Sequence, residues 1–362
     1  MAANRAILDA TIRHAVFLEQ LKSGEVKKFG PFLKEIDRTI RERLTRTDLT
    51  DYNILRMERL LSEVDSLLLG IFDRYSDKLT LDLVDIANYE AQFEATSLTR
   101  AAPVGVSFDA AVPGATAIRA AILTNPLSVR GADGGKLLET FIDGFTSTER
   151  QRLTGAIRQG FFEGQTNFQI IKNIRGTKAL QYNDGILATT NRNAGAVVRT
   201  AVQHVATQAR METLKENADV VEEVEWVATL DTKTTSQCRT LDKQRFKLTK
   251  GPRPPIHINC RSTVVAVTRF SALFAKGSTR ASIGDAGAQQ VRADLSYYDW
   301  LKLQPAAFQD KAIGPVRAKL FREGGLSIER FSELQLDRNF SPLTLVQMKA
   351  LEPLAFERAG IK

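Results

Sequence analysis

Both cysteines of the chain and one of its three histidines fall within one short stretch, residues 224–267. Thiolate and imidazole groups are zinc ligands, and the spacing His257-x-x-Cys260 is one that metal sites use. A structural zinc site has four protein ligands, whereas Cys238, His257 and Cys260 supply only three. We therefore expect no bound cofactor, and we keep zinc at these three residues as the less favoured alternative.

The same residue types could serve catalysis. Cationic neighbours can lower the pKa of a thiol such as Cys238, and His257 could act as its base. A metal-dependent nuclease is the other enzymatic alternative, because a basic segment with His257 and Asn259 superficially resembles metal-finger nucleases. Those enzymes carry metal ligands on a following helix, but here a predicted strand follows and no carboxylate cluster for Mg²⁺ accompanies it. We predict that the protein is not an enzyme.

Charge is concentrated in the same part of the chain. The whole sequence carries a net charge of +8, whereas residues 231–280 hold eleven Lys or Arg against two Asp, a net +9. Such a segment favours polyanions. We predict binding to the phosphates of double-stranded DNA, or to an acidic protein surface, through eight cations: Lys233, Arg239, Lys243, Arg245, Lys247, Lys250, Arg253 and Arg261.

Two predicted strands must position these groups. Residues 224–228 alternate as a strand does, and the β-branched run 263–267 predicts a second. Between them the proline-rich turn 251–255 is expected to lie extended on the surface, because proline does not fit a helix or a central strand. We call 224–267 the knuckle, and we expect eight residues to hold it together: Trp226, Asp231, Cys238, Pro254, Pro255, His257, Asn259 and Cys260.

The knuckle resembles the Mu F-like minor head proteins of tailed phages, the head morphogenesis family. The resemblance rests on spaced motifs: Trp226-x-Ala228-Thr229-Leu230-Asp231, Cys238-Arg239, Gly251-Pro252-Arg253-Pro254-Pro255-x-His257 and Asn259-Cys260-Arg261-Ser262-Thr263. It extends upstream through Arg199-Thr200 to Arg210 and downstream into 298–310, so it covers more than half of the chain. Relatives carry further cysteines where Thr235 and Ser262 stand here, which is why the ligand set is incomplete.

The resemblance implies a structural, low-copy component of the virion, placed at the head or neck and present in the host cytoplasm during assembly. It implies the portal protein and packaged double-stranded DNA as partners, with major capsid or neck proteins as further candidates and several copies around the portal ring. Head assembly and DNA packaging, retention or ejection are the implied roles. No membrane is implied in the virion.

The fold class predicted from the pattern is mainly α with a small β-knuckle. We divide the chain into an N-terminal helical domain (1–100), a Mu F-like core (101–290) and a C-terminal helical region (291–362). In the first, two helices are predicted over 5–44, a third after a cap at 48–51, and a fourth over 81–96.

In the core we predict a strand at 104–108 and a helix at 116–123, then helices at 137–144, 148–160 and 191–217. Residues 271–290 have the composition of a linker. In the C-terminal region, Ser341-Pro342 is expected to begin the last helix, and the aromatic residues are expected to form a small core.

Two residues of the helix at 191–217 carry separate expectations. Arg199 is expected to tie the helix to the knuckle through a buried or half-buried pair, and His204 to be a core or boundary histidine. No secretion signal or membrane-spanning segment is predicted. Two cysteines in 362 residues indicate a reducing compartment.

Overall fold

The computed structural model describes residues 5–46, 54–103, 106–270 and 279–362. It is mostly helical and has two small antiparallel sheets, which confirms the predicted fold class. No helix among the described residues is both long enough and apolar enough to span a membrane.

Three helices open the chain: α1 (Arg5–Lys27), α2 (Gly30–Arg46) and α3 (Ile54–Arg100). The first two match the prediction, but α3 is one helix of 47 residues where two were predicted. Its buried stripe continues through Leu79 and Leu83 across the predicted break, so packing is uninterrupted there. The predicted cap at 48–51 lies outside the described residues.

The middle of the chain adds α4 (Ala115–Thr124), α5 (Leu138–Phe162), α6 (Asn167–Arg175) and α7 (Ile186–Glu216). Helix α4 confirms the prediction for this segment, whereas α5 is one helix where two were predicted. The predicted break at Gly144 is wrong because the glycine lies between buried positions of one apolar face, and packing outweighs its low helix propensity.

Helix α6 was not predicted, although its signal is present in the sequence. Thr166 and Gln169 form a reciprocal capping box at its start. The strand predicted at 104–108 is not observed: residues 106–108 have no regular structure, and 104–105 lie outside the described residues. The Val106 N–H donates to the Pro103 carbonyl oxygen at 3.0 Å, within its own segment and not to a neighbouring strand.

Helices α2 to α7 share one hydrophobic core with the C-terminal half of α1, and α7 runs through it. Along α7 the buried positions do not form one stripe but occur on most of its circumference. A helix that is buried nearly all round must be packed on several sides at once. Helix α7 is therefore the central element against which the knuckle is fixed.

The knuckle contains strands β1 (Val221–Val227), β2 (Arg245–Lys247) and β3 (Thr263–Thr268), with the short helix α8 (Ser236–Leu241) between the first two. The sheet is antiparallel in the order β2-β1-β3, and Trp226 pairs with Val264. Both predicted strands are confirmed, and β2 is an additional edge strand. Every residue of β3 is buried, which explains why its sequence is a continuous apolar run.

The segment predicted as a linker at 271–290 is largely a β-hairpin. Strands β4 (Thr279–Gly284) and β5 (Gly287–Arg292) pair antiparallel around a two-residue turn, and Gly287 has φ +91°. The prediction was wrong for 279–290 because these small polar residues lack the alternating apolar pattern typical of a strand. The hairpin is stabilised by its docking on the knuckle and not by an apolar face of its own. Residues 271–278 lie outside the described residues.

Six short helices end the chain: α9 (Tyr297–Lys302), α10 (Ala306–Ile313), α11 (Pro315–Glu323), α12 (Ile328–Glu333), α13 (Leu345–Leu351) and α14 (Pro353–Arg358). Their aromatic side chains form the predicted small core. The predicted cap at Ser341-Pro342 is wrong, because Thr344 caps α13 through a capping box with Gln347.

Candidate functional site

Two thiols and an imidazole meet inside the knuckle. Cys238 Sγ lies 3.7 Å from Cys260 Sγ and 3.2 Å from His257 Nε2. All three ligand atoms lie within 4.8 Å of one another, and both cysteines are buried and reduced. Local structure brings them together: Thr235 caps α8 by accepting from the Cys238 N–H, and the proline-rich turn places His257 and Cys260 just before β3.

The thiols and the imidazole change one another's protonation. Burial raises the pKa of Cys238, and the neighbouring Cys260 raises it further. For Cys260 burial acts in the same direction, but hydrogen bonds from Cys238 and His257 outweigh it and lower the pKa. Burial alone would lower the pKa of His257, yet contact with Cys260 raises it. Cys260 is thus the more acidic of the two thiols.

The prediction that the proline-rich turn lies on the surface is only partly confirmed. Gly251 is exposed, and Pro252 and Arg253 are half-buried, but Pro254 and Pro255 are buried. Arg253 donates to the carbonyl oxygens of Pro252 at 2.8 Å and Lys247 at 2.6 Å, which closes the turn on itself.

The turn continues into Asn259, which has φ +60° and donates its backbone N–H to Thr200 Oγ1 on α7 at 3.0 Å.

An ion pair fixes the loop that follows β1. Asp231 accepts two hydrogen bonds from Arg261, at 2.6 and 2.9 Å, and the Tyr297 hydroxyl donates to the Asp231 carbonyl at 2.6 Å. Burial would raise the pKa of Asp231, but these bonds from Arg261 lower it. Asp231 and Trp226, which is fully buried, therefore have the structural placement that the sequence predicts.

A second buried pair docks the hairpin on the knuckle. Arg280 of β4 donates to both carboxylate oxygens of Asp242, at 3.0 and 3.1 Å, and also to the Ala228 carbonyl. Asp242 in turn accepts from the Ala228 N–H at 2.7 Å. The Arg280 and Asp242 side chains are 2% and 0% exposed. Arg280, counted above in the basic excess, is therefore a structural cation.

Arg210, not Arg199, is the arginine of α7 that bonds to the knuckle. Arg210 Nε donates to Glu94 Oε2 of α3 at 2.8 Å, and its Nη1 donates to Thr263 Oγ1 of β3. Arg199 has only a weak 3.4 Å contact with the carbonyl of Gly195. The predicted pair of Arg199 is not observed, because its side chain lines the cleft described below, whereas Arg210 is turned towards buried carboxylates.

The eight predicted cations divide into two groups. Five are engaged within the protein: Arg239 with the Ala312 carbonyl, Lys243 and Arg245 with Glu225, Arg253 with the turn, and Arg261 with Asp231. The side chains of Lys233, Lys247 and Lys250 are exposed. These three lysines are the ones whose charge is displayed to solvent.

A cleft of about 390 Å³ lies beside the thiol cluster. His257 and Cys260 line it from the knuckle, Arg199 from α7 and Lys22 from α1. Lys22 is 1% exposed and donates to Glu19 at 2.5 Å and to Gln203 at 2.6 Å. The sequence offered no signal for Lys22, which lies more than two hundred residues from the knuckle.

His204 is the core histidine that the sequence indicates. It is 0% exposed, and burial lowers its pKa to about 4. Its imidazole is therefore neutral near pH 7.

The fold and this site define a helical protein with a small β-knuckle that is held together by ion pairs. Residues 151–265 match the family model described as Phage Mu protein F like protein. That segment, from within α5 to β3, is Mu F-like, and the family is one of phage head morphogenesis. Neither the search of curated proteins nor that of solved structures found a match.

Proposed function

We propose that this chain is a structural minor head protein of a tailed phage. It acts at the portal or neck, or on the inner face of the capsid, and it supports head assembly and the packaging, retention or ejection of DNA. The observation that carries the proposal is the Mu F-like segment, whose knuckle is braced by buried ion pairs against α7 and the hairpin. A knuckle that is held rigidly in this way is suited to a protein that connects its partners in an assembly.

The portal protein is the proposed primary partner, with several copies of this chain around its ring; major capsid and neck proteins are further candidates. We expect purified heads to contain the chain in several copies, and heads assembled without portal protein to lack it. Quantitative mass spectrometry of both head types, normalised to the major capsid protein, measures this. Equal copy numbers in both would contradict the portal assignment.

Double-stranded DNA is the proposed second partner, bound without sequence preference. Replacing Lys233, Lys247 and Lys250 together with Ser is expected to reduce the slope of log affinity against log salt by roughly two to three units, because each phosphate contact contributes ~0.9. Fluorescence anisotropy with random duplexes over a salt series measures the slope.

The matched control replaces three exposed lysines of the C-terminal helices, Lys302, Lys311 and Lys349, with Ser. This control removes the same charge from another surface. Its slope of log affinity against log salt is expected to stay close to that of the unmodified protein. If the two triple variants behave alike, the knuckle lysines are not the DNA contact, and an acidic protein surface becomes their proposed partner.

We propose no catalytic turnover. A nuclease would need His257 as a free base, but its Nδ1 is bonded to the Ile258 carbonyl at 2.9 Å and its Nε2 faces the Cys238 thiol. Strand β3, not a ligand-bearing helix, follows the cluster.

A further inference from the structure

We propose that Cys238, His257 and Cys260 bind one zinc ion, and that a solvent molecule from the cleft completes its tetrahedral coordination. The sequence disfavours a structural zinc site with four protein ligands, because the fourth ligand is missing. The geometry favours a site with three protein ligands and one open position, which is also a zinc arrangement. This inference is independent of the proposed function.

The spacing of the ligand atoms fits a zinc ion. Two sulfur atoms at ~2.3 Å from a tetrahedral zinc lie ~3.8 Å apart, and Cys238 Sγ and Cys260 Sγ are 3.7 Å apart. The corresponding sulfur–nitrogen separation is ~3.6 Å, whereas Cys238 Sγ and His257 Nε2 are 3.2 Å apart. A shift of about 0.4 Å would bring Cys238 Sγ and His257 Nε2 to that separation, and the third pair, Cys260 Sγ and His257 Nε2, lies within 4.8 Å.

The histidine is oriented as a metal ligand. Its Nδ1 lies 2.9 Å from the Ile258 carbonyl oxygen, so Nδ1 carries the proton that it donates there. The Nε2 lone pair is then directed at the thiols. Metal-binding histidines are usually held by such a bond to a backbone carbonyl, which fixes the tautomer and the ring orientation.

The cleft supplies an entry path and the fourth ligand. His257, Cys260 and Thr235 all line it, so solvent reaches the cluster from that side. Two thiolates balance the charge of Zn²⁺, so the bound ion adds no net charge beside the cations Lys22 and Arg261. The knuckle is therefore able to accept the metal without a new buried charge.

The test uses the full chain produced in zinc-supplemented medium and purified under a reductant without chelator. We expect about one zinc per chain by elemental analysis, and removal by a chelator should lower the Tm by roughly 5 °C, reversibly on adding zinc. Titration of the metal-free protein with Co²⁺ should give intense thiolate-to-cobalt absorption. Absence of zinc together with absence of that absorption would overturn the proposal, as would metal that dialysis removes without changing the Tm.

Variants assign the ligands. Cys238→Ser and Cys260→Ser are each expected to lose the zinc and the cobalt absorption, whereas His204→Gln, at a buried histidine outside the cluster, should keep both. Full zinc content in both cysteine variants would place the metal elsewhere and refute the site. Should a cysteine variant fail to fold, the Co²⁺ titration of the unmodified protein decides alone.

Discussion

Replacing Arg210 with Met is expected to lower the free energy of unfolding by about 3–5 kcal/mol, because it leaves the buried Glu94 carboxylate without its hydrogen-bonded cation and Glu90 with only its His14 contact. Glu90 and Glu94 are both 0% exposed, and Arg210 Nη2 and Nε lie 3.6 and 2.8 Å from them. The same side chain also bonds Thr263, so its loss loosens β3 from α7. Chemical denaturation followed by circular dichroism measures the change.

The control for this variant is Arg158→Met. Arg158 pairs with Glu58 at 3.1 Å, but both side chains are about half exposed, so a change within ~1 kcal/mol is expected. Adding Glu94→Gln to Arg210→Met should recover part of the loss, since it removes one uncompensated charge. Equal effects of Arg210→Met and Arg158→Met would show that the buried network does not hold the knuckle to the helices.

Replacing Arg280 with Met is expected to undock the β4–β5 hairpin and to cost about 3–5 kcal/mol. Asp242 would remain buried without its partner, and the Ala228 carbonyl would lose a donor. Hydrogen exchange followed by mass spectrometry is the informative measurement, because the amides of β4 and β5 should lose protection more than those of α5 or α7.

Arg292→Met is the matched control on the same hairpin. Its ion pair with Asp294 is exposed, so we expect no measurable change in hydrogen exchange. If Arg280→Met leaves the hairpin as protected as Arg292→Met does, the docking is provided by other contacts, such as the Ile283 N–H to the Leu230 carbonyl.

The sequence predicted the elements of the knuckle because their signals are local. The run 263–267 is mostly β-branched and apolar, and Cys260 stands three residues before it, whereas Cys238 reaches the cluster from α8, which was not predicted. The buried aromatic core of the C-terminal helices was likewise indicated by composition and spacing.

The contacts that the sequence did not predict join residues that are far apart in the chain. Arg210 and Glu94 are 116 residues apart, and Arg280 and Asp242 are 38 apart, so no local pattern distinguishes these cations from exposed ones. One clue was available: Glu90 and Glu94 stand four residues apart on the apolar face of α3, where carboxylates are costly unless paired. The polar hairpin gave no comparable clue.

Helix α3 has a mechanical consequence. At ~1.5 Å of rise per residue its 47 residues span about 70 Å. Its positions from Met57 to Ala91 lie in the core of the helical bundle, and its last turns, at Ala95 and Leu98, lie in the core that holds the knuckle. One continuous helix therefore joins the two cores, so a displacement of either core is passed to the other along α3.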